Sequence, residues 1–190
     1  MRKLFLIWAI AGIGSALLAG NPPVETKVNV EKSQISWKGY KVTGQHHGKI
    51  ALKDGSLTWE NGMLTGGSFS MDMSSISCED LQGEWNDKLV GHLKSEDFFG
   101  VEKFPVSTFV ITQVVSRGTP GDYKIVGNLT IKGITKEVRF MAKADPNNAT
   151  ATMTIDRSEF NIRYGSGSFF ENLGDKTIYD EFDLEVNLTY

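Results

Sequence analysis

KLVGHLKSEDFFGVEKFPVSTFVITQV, residues 88–114, and YKIVGNLTIKGITKEVRF, residues 123–140, decide how this chain is read. The first stretch opens helically: Leu81, Trp85, Leu89 and Leu93 recur every four residues. Gly83 and Gly91 weaken that helix, so it is expected to be short or irregular. Ser95 can cap a further turn through Phe99, which Gly100 ends. Phe104-Pro105 then begins a strand, a place where the missing N–H of proline does little harm. In the second stretch Ile125, Gly127, Leu129 and Ile131 share one face of a strand. A Lys-Gly turn follows, and Val138, Phe140 and Ala142 share one face of the partner strand. No dense cluster of catalytic residue types interrupts this pattern. It reads as sheet wrapped around an apolar interior, so binding is a better first reading than catalysis.

The same alternation extends in both directions. Ile35 and Trp37 alternate with Ser36 and Lys38, and Phe69, Met71 and Met73 alternate with Ser68, Ser70 and Asp72. Asp54-Gly55 and Asn61-Gly62 are both two-residue hairpin signals, because each accepts positive φ at its central positions. Residues 50 to 73 are therefore expected to form a meander. Met153 and Ile155 alternate with threonines, and Phe182, Leu184, Val186, Leu188 and Tyr190 alternate with polar residues. Gly165 to Asp175 is a Gly/Ser-rich loop carrying Phe169 and Phe170. The reading is all-β with a short helical insertion. A single antiparallel sheet must bury its apolar face, and closing into a barrel does so while removing its edges. Pattern alone leaves a β-sandwich open.

The N-terminus reads differently. Arg2 and Lys3 precede an apolar run from Leu4 to Leu18, which is too short to span a bilayer comfortably and fits a secretory leader. The expectation is a signal peptide over residues 1–20 and one domain over 21–190, exported to the periplasm or beyond the cell. Asn21 follows Leu18-Ala19-Gly20 where a lipid-anchored protein needs cysteine. The chain's formal net charge is −3, and it holds no basic tract, which excludes a nucleic-acid footprint. Cys78 is the only cysteine, so no intrachain disulfide forms; it reads as a small buried hydrophobe.

At this level of detail the chain resembles the YceI-like family, from about Val28 to Tyr190. The carrying residues are Trp37, His47-Gly48, and Met71-Asp72-Met73-Ser74-Ser75-Ile76. HLKSEDFFGVEKFP from His92, GNLTIKGITKEV from Gly127, Ile155 to Phe160, and NLGDKTIYDEFDLEVNL from Asn172 follow in order. The resemblance implies an antiparallel lipocalin-like β-barrel of about eight strands around an elongated apolar cavity. It implies an exported binder of a polyisoprenoid or isoprenoid quinone, for transport, storage or shielding, with no cofactor and no established enzymatic activity. The family commonly has Gly after the aromatic residue corresponding to Phe160; here Asn161 stands in its place.

An isoprenoid offers methyl and methylene groups and almost no hydrogen-bonding atoms. At roughly 0.8 kcal/mol per buried CH2-sized group, each five-carbon unit contributes about 3–4 kcal/mol gross. An apolar tunnel is thus sufficient machinery. The candidate ligand-binding residues are Trp37, Phe69, Met71, Met73, Phe109, Ile111, Leu129, Ile131, Phe140, Phe160, Phe182 and Leu184, with His47 as a hydrogen-bond partner for a polar head. Expected partners are an isoprenoid lipid, a transient membrane or envelope-protein contact, and a second copy of the chain.

Two readings from other classes compete. The same alternation suits a solid barrel whose loops bind an envelope protein. Cys78, His92 and Asp97, or the adjacent His46 and His47, contain ingredients of a Cys-dependent or metal-dependent hydrolase. Neighbouring histidines in a strand face opposite ways, which disfavours a shared ion. Gly165-Ser166-Gly167 lacks the lysine of a phosphate loop, and the N-x-Thr sequons at Asn128 and Asn187 fall in expected strands.

Overall fold

The computed structural model describes residues 22–190. The expected leader over residues 1–20 lies outside the described residues. The elements are β1 (Val24–Lys27), β2 (Gln34–Lys41), β3 (Gly44–Glu60), β4 (Met63–Cys78), α1 (Gly83–Lys94), β5 (Val106–Ser116), β6 (Asp122–Ile131), β7 (Ile134–Ala144), β8 (Asn148–Asp156) and β9 (Ile178–Thr189), with short 3-10 turns at Arg157–Phe160 and Gly174–Lys176. Every pairing is antiparallel. The order β3-β2-β9-β8-β7-β6-β5-β4 closes on itself through the β3–β4 pairing, giving an eight-stranded barrel. β1 lies beside the second half of β3, where Val24 pairs with Trp59. The barrel thus resolves the choice that alternation left between barrel and sandwich.

Local chemistry explains most element ends. Asn61 and Gly62 adopt φ of 50° and 77°, which makes the tight β3–β4 hairpin that their sequence predicts. Asn161 has φ 58° and ψ 33°, so it adopts the left-handed backbone that glycine favours. Asparagine tolerates that region better than most side chains, and the substitution leaves the chain path intact. α1 is followed by a turn in which the Ser95 carbonyl accepts from the Phe98 and Gly100 N–H groups. Gly100 ends it at φ 58°.

One expectation fails. Asp54-Gly55 makes no hairpin, because β3 runs straight through it and Gly55 pairs with Phe69. The ladder shifts register between Leu52 and Asp54, and a Cβ at Gly55 would lie 2.7 Å from the Phe69 ring. The glycine there makes room for an inward aromatic. Trp85 shares the four-residue spacing of Leu89 and Leu93 on α1 but is 70% exposed, with the Lys88 ammonium 5.1 Å from its ring centroid.

Gly48 fixes the junction of three strands. It pairs with Trp37 of β2 and with Cys78 of β4. A Cβ there would lie 1.8 Å from the Ser77 carbonyl oxygen and 2.8 Å from the Trp37 ring. We predict that Gly48→Ala destabilises the barrel by about 3 kcal/mol, at the upper end of overpacking costs. Urea unfolding would show a lower midpoint with an unchanged slope.

Candidate functional site

The barrel is not filled. A cavity of about 360 Å³ runs along it, lined by side chains from β2 through β9 and from α1. Among the expected residues, Trp37 lines it from β2, Phe69, Met71 and Met73 from β4, and Phe109 and Ile111 from β5. Leu129 and Ile131 of β6, Phe140 of β7, and Phe182 and Leu184 of β9 complete that set. Many of these inward residues, including Trp37, Phe69, Met71, Phe140 and Phe182, are only half-buried. They pack on the core with one side and line open space with the other. The Trp37 indole N–H donates to the Ser77 carbonyl at 3.0 Å, so its ring meets the cavity without an unpaired donor. The Phe109 ring lies 6.4 Å from Phe69 and 5.5 Å from Phe140 between centroids.

Sequence reading missed part of the wall. Leu89, His92 and Leu93 of α1 line the cavity, as do Phe98 and Phe99 of the turn after it. Their four-residue spacing marks an apolar helix face but does not say that the face covers a barrel end. Ala142, Ala144, Ala149 and Ala151 also line it. Alanine carries little hydrophobic signal, yet its size leaves the space open.

The two ends differ. At one end Trp59 and Tyr190 pack at 6.1 Å between centroids, in a cluster that includes Leu57, Leu64, Tyr123 and Ile125. The Tyr190 hydroxyl donates to the Asp145 and Asn148 carbonyls, which ties this plug to the β7–β8 turn. At the other end Gly39, Tyr40, Lys41, His46, Ile178 and Tyr179 line the cavity. That end is also where the crossover from β8 to β9 passes. Phe169 and Phe170 in this crossover are 41% and 50% exposed, so they do not plug the barrel.

Arg157 is the one strongly buried charge of the wall, at 2% exposure. Its Nε donates to the Tyr179 carbonyl at 3.1 Å, Nη1 to Ile162 at 3.0 Å and Nη2 to Ile178 at 3.0 Å. Asp180 Oδ1 lies 3.2 Å from Nη2, an ion pair by distance without hydrogen-bond alignment. Burial pulls the guanidinium below its ordinary value, opposed by Asp180 and Asp156. Arg157 thereby ties the crossover to β9.

A second polar knot joins β3 to the end of β4. Asp80 Oδ2 lies 2.8 Å from His46 Nδ1, and its Oδ1 accepts from the His47 backbone N–H at 3.0 Å and the Cys78 thiol at 3.2 Å. Burial alone would raise the Asp80 carboxyl, but these three hydrogen bonds outweigh it and hold it well below the usual carboxylate range. Burial and the Asp80 carboxylate push the Cys78 thiol up, the opposite of what a nucleophile needs.

Two candidate residues take other places. His47 faces outward, because β3 alternates and His46 is the one that lines the cavity. Phe160 is fully buried in a 3-10 turn, Arg157–Phe160, and packs in the core with Ile155 and Ile162 rather than on the cavity wall. The ingredients of a nucleophilic site also separate. Cys78 bonds Asp80, His92 packs against Phe98 and Tyr164, and Asp97 is exposed. Among the described residues, no group of three or more His, Cys, Asp or Glu side chains is placed to hold a metal ion.

Fold and site together define a closed antiparallel barrel with an internal apolar cavity. The chain belongs to the YceI-like family, whose domain model matches residues 27–190. It is 29% identical over 191 residues to a UPF0312 protein of Pseudomonas putida strain W619, covering 91% of this chain and 93% of that protein. A UPF0312 protein of Pseudomonas aeruginosa strain UCBPP-PA14 is 30% identical over 143 residues, 71% of this chain and 70% of that one. The crystal structure of Burkholderia cenocepacia BcnA superposes with a TM-score of 0.67 at 20% identity, over 86% of this chain and 99% of that one. A polyisoprenoid binding domain from Saccharophagus degradans, implicated in plant cell wall breakdown, gives 0.57 at 9% identity, over 85% and 95%. These two likenesses establish the shared fold.

Truncating Arg157 to Ala strands three carbonyls and the Asp180 carboxylate. The expected loss is about 3–5 kcal/mol, the usual cost of breaking a buried charge pair, read as a fall in unfolding midpoint. Asp80 carries a pH signature. Its depressed folded-state value means that its stabilisation is present above the unfolded value near 3.8 and is lost as pH falls below it. Wild type should therefore lose more stability than Asp80→Asn between pH 5 and pH 2, measured by urea unfolding across that range.

Proposed function

We propose that this chain is an exported lipid-binding protein that holds a polyisoprenoid or isoprenoid quinone inside its barrel. The carrying observation is the open cavity walled by half-buried apolar side chains, a space that hydrocarbon fills at a gain and water fills at a cost. The polyisoprenoid binding domain of Saccharophagus degradans shares the fold, which adds support. In this reading Trp37, Phe69, Met71, Met73, Phe109, Phe140, Phe182 and Leu184 contact the chain of the ligand. The methionines suit a flexible guest, because thioethers adapt to irregular neighbours. The reading needs no cofactor and no catalytic step.

Entry is through the end that carries Lys41, His46, Ile178 and Tyr179. The exposed Tyr164, Phe169, Phe170 and Tyr179 surround that region of the crossover and the start of β9. They would meet the lipid surface from which the cargo is drawn. The leader-like segment supports a periplasmic or extracellular setting, where the barrel carries, stores or shields its cargo. A solid barrel acting only through its loops would have no use for the internal space.

The test is mass spectrometry of the purified protein, native and after organic extraction, following expression in an exporting bacterium. A polyprenyl or quinone species near one per chain, or one per pair of chains, is expected. Protein that is empty and also refuses added isoprenoids would overturn the reading. Ala151→Phe, which fills the cavity from β8, should cut uptake of a long isoprenoid at least tenfold while the barrel still folds, as judged by far-UV circular dichroism.

A further inference from the structure

His92 is one of the few polar side chains, with Tyr40, Lys41, His46, Ser107, Thr150, Arg157 and Tyr179, in a largely apolar wall, and it alone among them has a buried side-chain atom without a hydrogen-bond partner. It lies on α1 between Leu89 and Leu93 in the cavity lining. Its ring is held edge-on by Tyr164, 4.2 Å away between centroids, and by Phe98 at 5.7 Å. Its Nε2 has no hydrogen-bond partner and is sealed by its neighbours from the cavity as well as from solvent, so a ligand head reaches it by shifting the rings packed there. Leaving such a group unpaired is costly, and a buried polar atom without a partner calls for an explanation. The other buried side-chain atom in this condition among the described residues is Asp180 Oδ1, which already has Arg157 Nη2 at 3.2 Å.

Building on the proposed function, we infer that His92 Nε2 is the hydrogen-bonding point for the head of the ligand, and that this head carries a neutral oxygen. Nε2 can donate to a quinone carbonyl or exchange hydrogen bonds with an alcohol, according to tautomer. Neutrality follows from the cations of the wall. Arg157 is occupied by three backbone carbonyls and by Asp180, so it offers no free charge to an anion. Lys41 is the other Arg or Lys side chain in the lining, and a single half-buried lysine is a poor match for a diphosphate. Phe98 touches both polar residues, with His92 5.7 Å and the Arg157 guanidinium 5.4 Å from its ring centroid. The polar end of the cavity is therefore compact, and the tail of the ligand is left to the aromatic, methionine and alanine walls beyond it. His92 takes the head-group role that sequence reading gave to His47.

The experiment measures binding of three isoprenoids of matched chain length to delipidated protein: a quinone, the corresponding alcohol and a headless polyene hydrocarbon. Wild type, His92→Leu and His92→Gln are compared, with thermal unfolding of each variant to show that it is folded. The expected result is about a tenfold loss for quinone or alcohol in His92→Leu, in line with one lost hydrogen bond. Hydrocarbon binding should stay unchanged, and His92→Gln should recover part of the loss. Which of the two oxygen-bearing ligands suffers identifies the head. In wild type, the 15N resonance of His92 Nε2 should move on adding that ligand and stay put on adding the hydrocarbon. An equal loss for all three ligands, or no loss for any, overturns the role of His92 while leaving the carrier reading intact. Failure of wild type to bind even the hydrocarbon overturns the carrier reading itself.

Discussion

Closure of the sheet through β3 is the constraint on which the rest depends. β3 spends its first half paired with β2 on one edge, and most of its length paired with β4 on the other. That double engagement converts a row of strands into a ring and leaves no pairing edge between β4 and β2. Once the ring is closed, every inward side chain shares one interior, and its total volume decides whether the middle is full. In an eight-strand ring β8 stands four places from β4. Phe69, Met71 and Met73 therefore look across at Ala149, Ala151 and Met153. Large residues on one wall facing alanines on the other leave room that neither can fill. The cavity is a result of this mismatch in size rather than of any special motif.

The sequence shows the alternation of the strands and hence most of the wall. Phe69, Met71 and Met73, or Phe182 and Leu184, point inward because a pleated strand has a period of two. What alternation does not carry is distance across the barrel, so a packed interior and an open one share the same pattern along each strand. Asp54-Gly55 misled for a related reason. The dipeptide has the chemistry of a turn, but the long-range demand of the Phe69 ring on the neighbouring strand used the glycine differently. His47 and Phe160 failed through local geometry: one residue of offset reverses a strand side chain, and a 3-10 turn removes the period of two altogether. α1 was legible as a helix, while its role as a cover was not, because nothing in a single amphipathic face names what it packs against.

Two polar knots brace the strand junctions, one at Arg157 and one at Asp80. Arg157 holds the crossover down by bonding backbone rather than another side chain, and such carbonyls cannot titrate away. Asp80 performs the matching task between β3 and β4 with one carboxylate serving an imidazole, a thiol and a peptide N–H. Between these two knots the rim keeps its shape without a disulfide, which the single cysteine could not supply.

The ladder between β2 and β9 also says something about how the molecule comes into being. Gln34 pairs with Asn187 and Ile35 with Val186, so the strand that completes the ring is β9, the last of the described strands. By contrast, β3–β4, β5–β6 and β6–β7 join neighbours in sequence and can form early. Bringing the two ends together carries the largest loop-closure entropy of any pairing in the barrel. A chain growing from its N-terminus therefore remains an open, incompletely paired sheet until β9 has been made, and shutting the ring is the late event in forming the barrel.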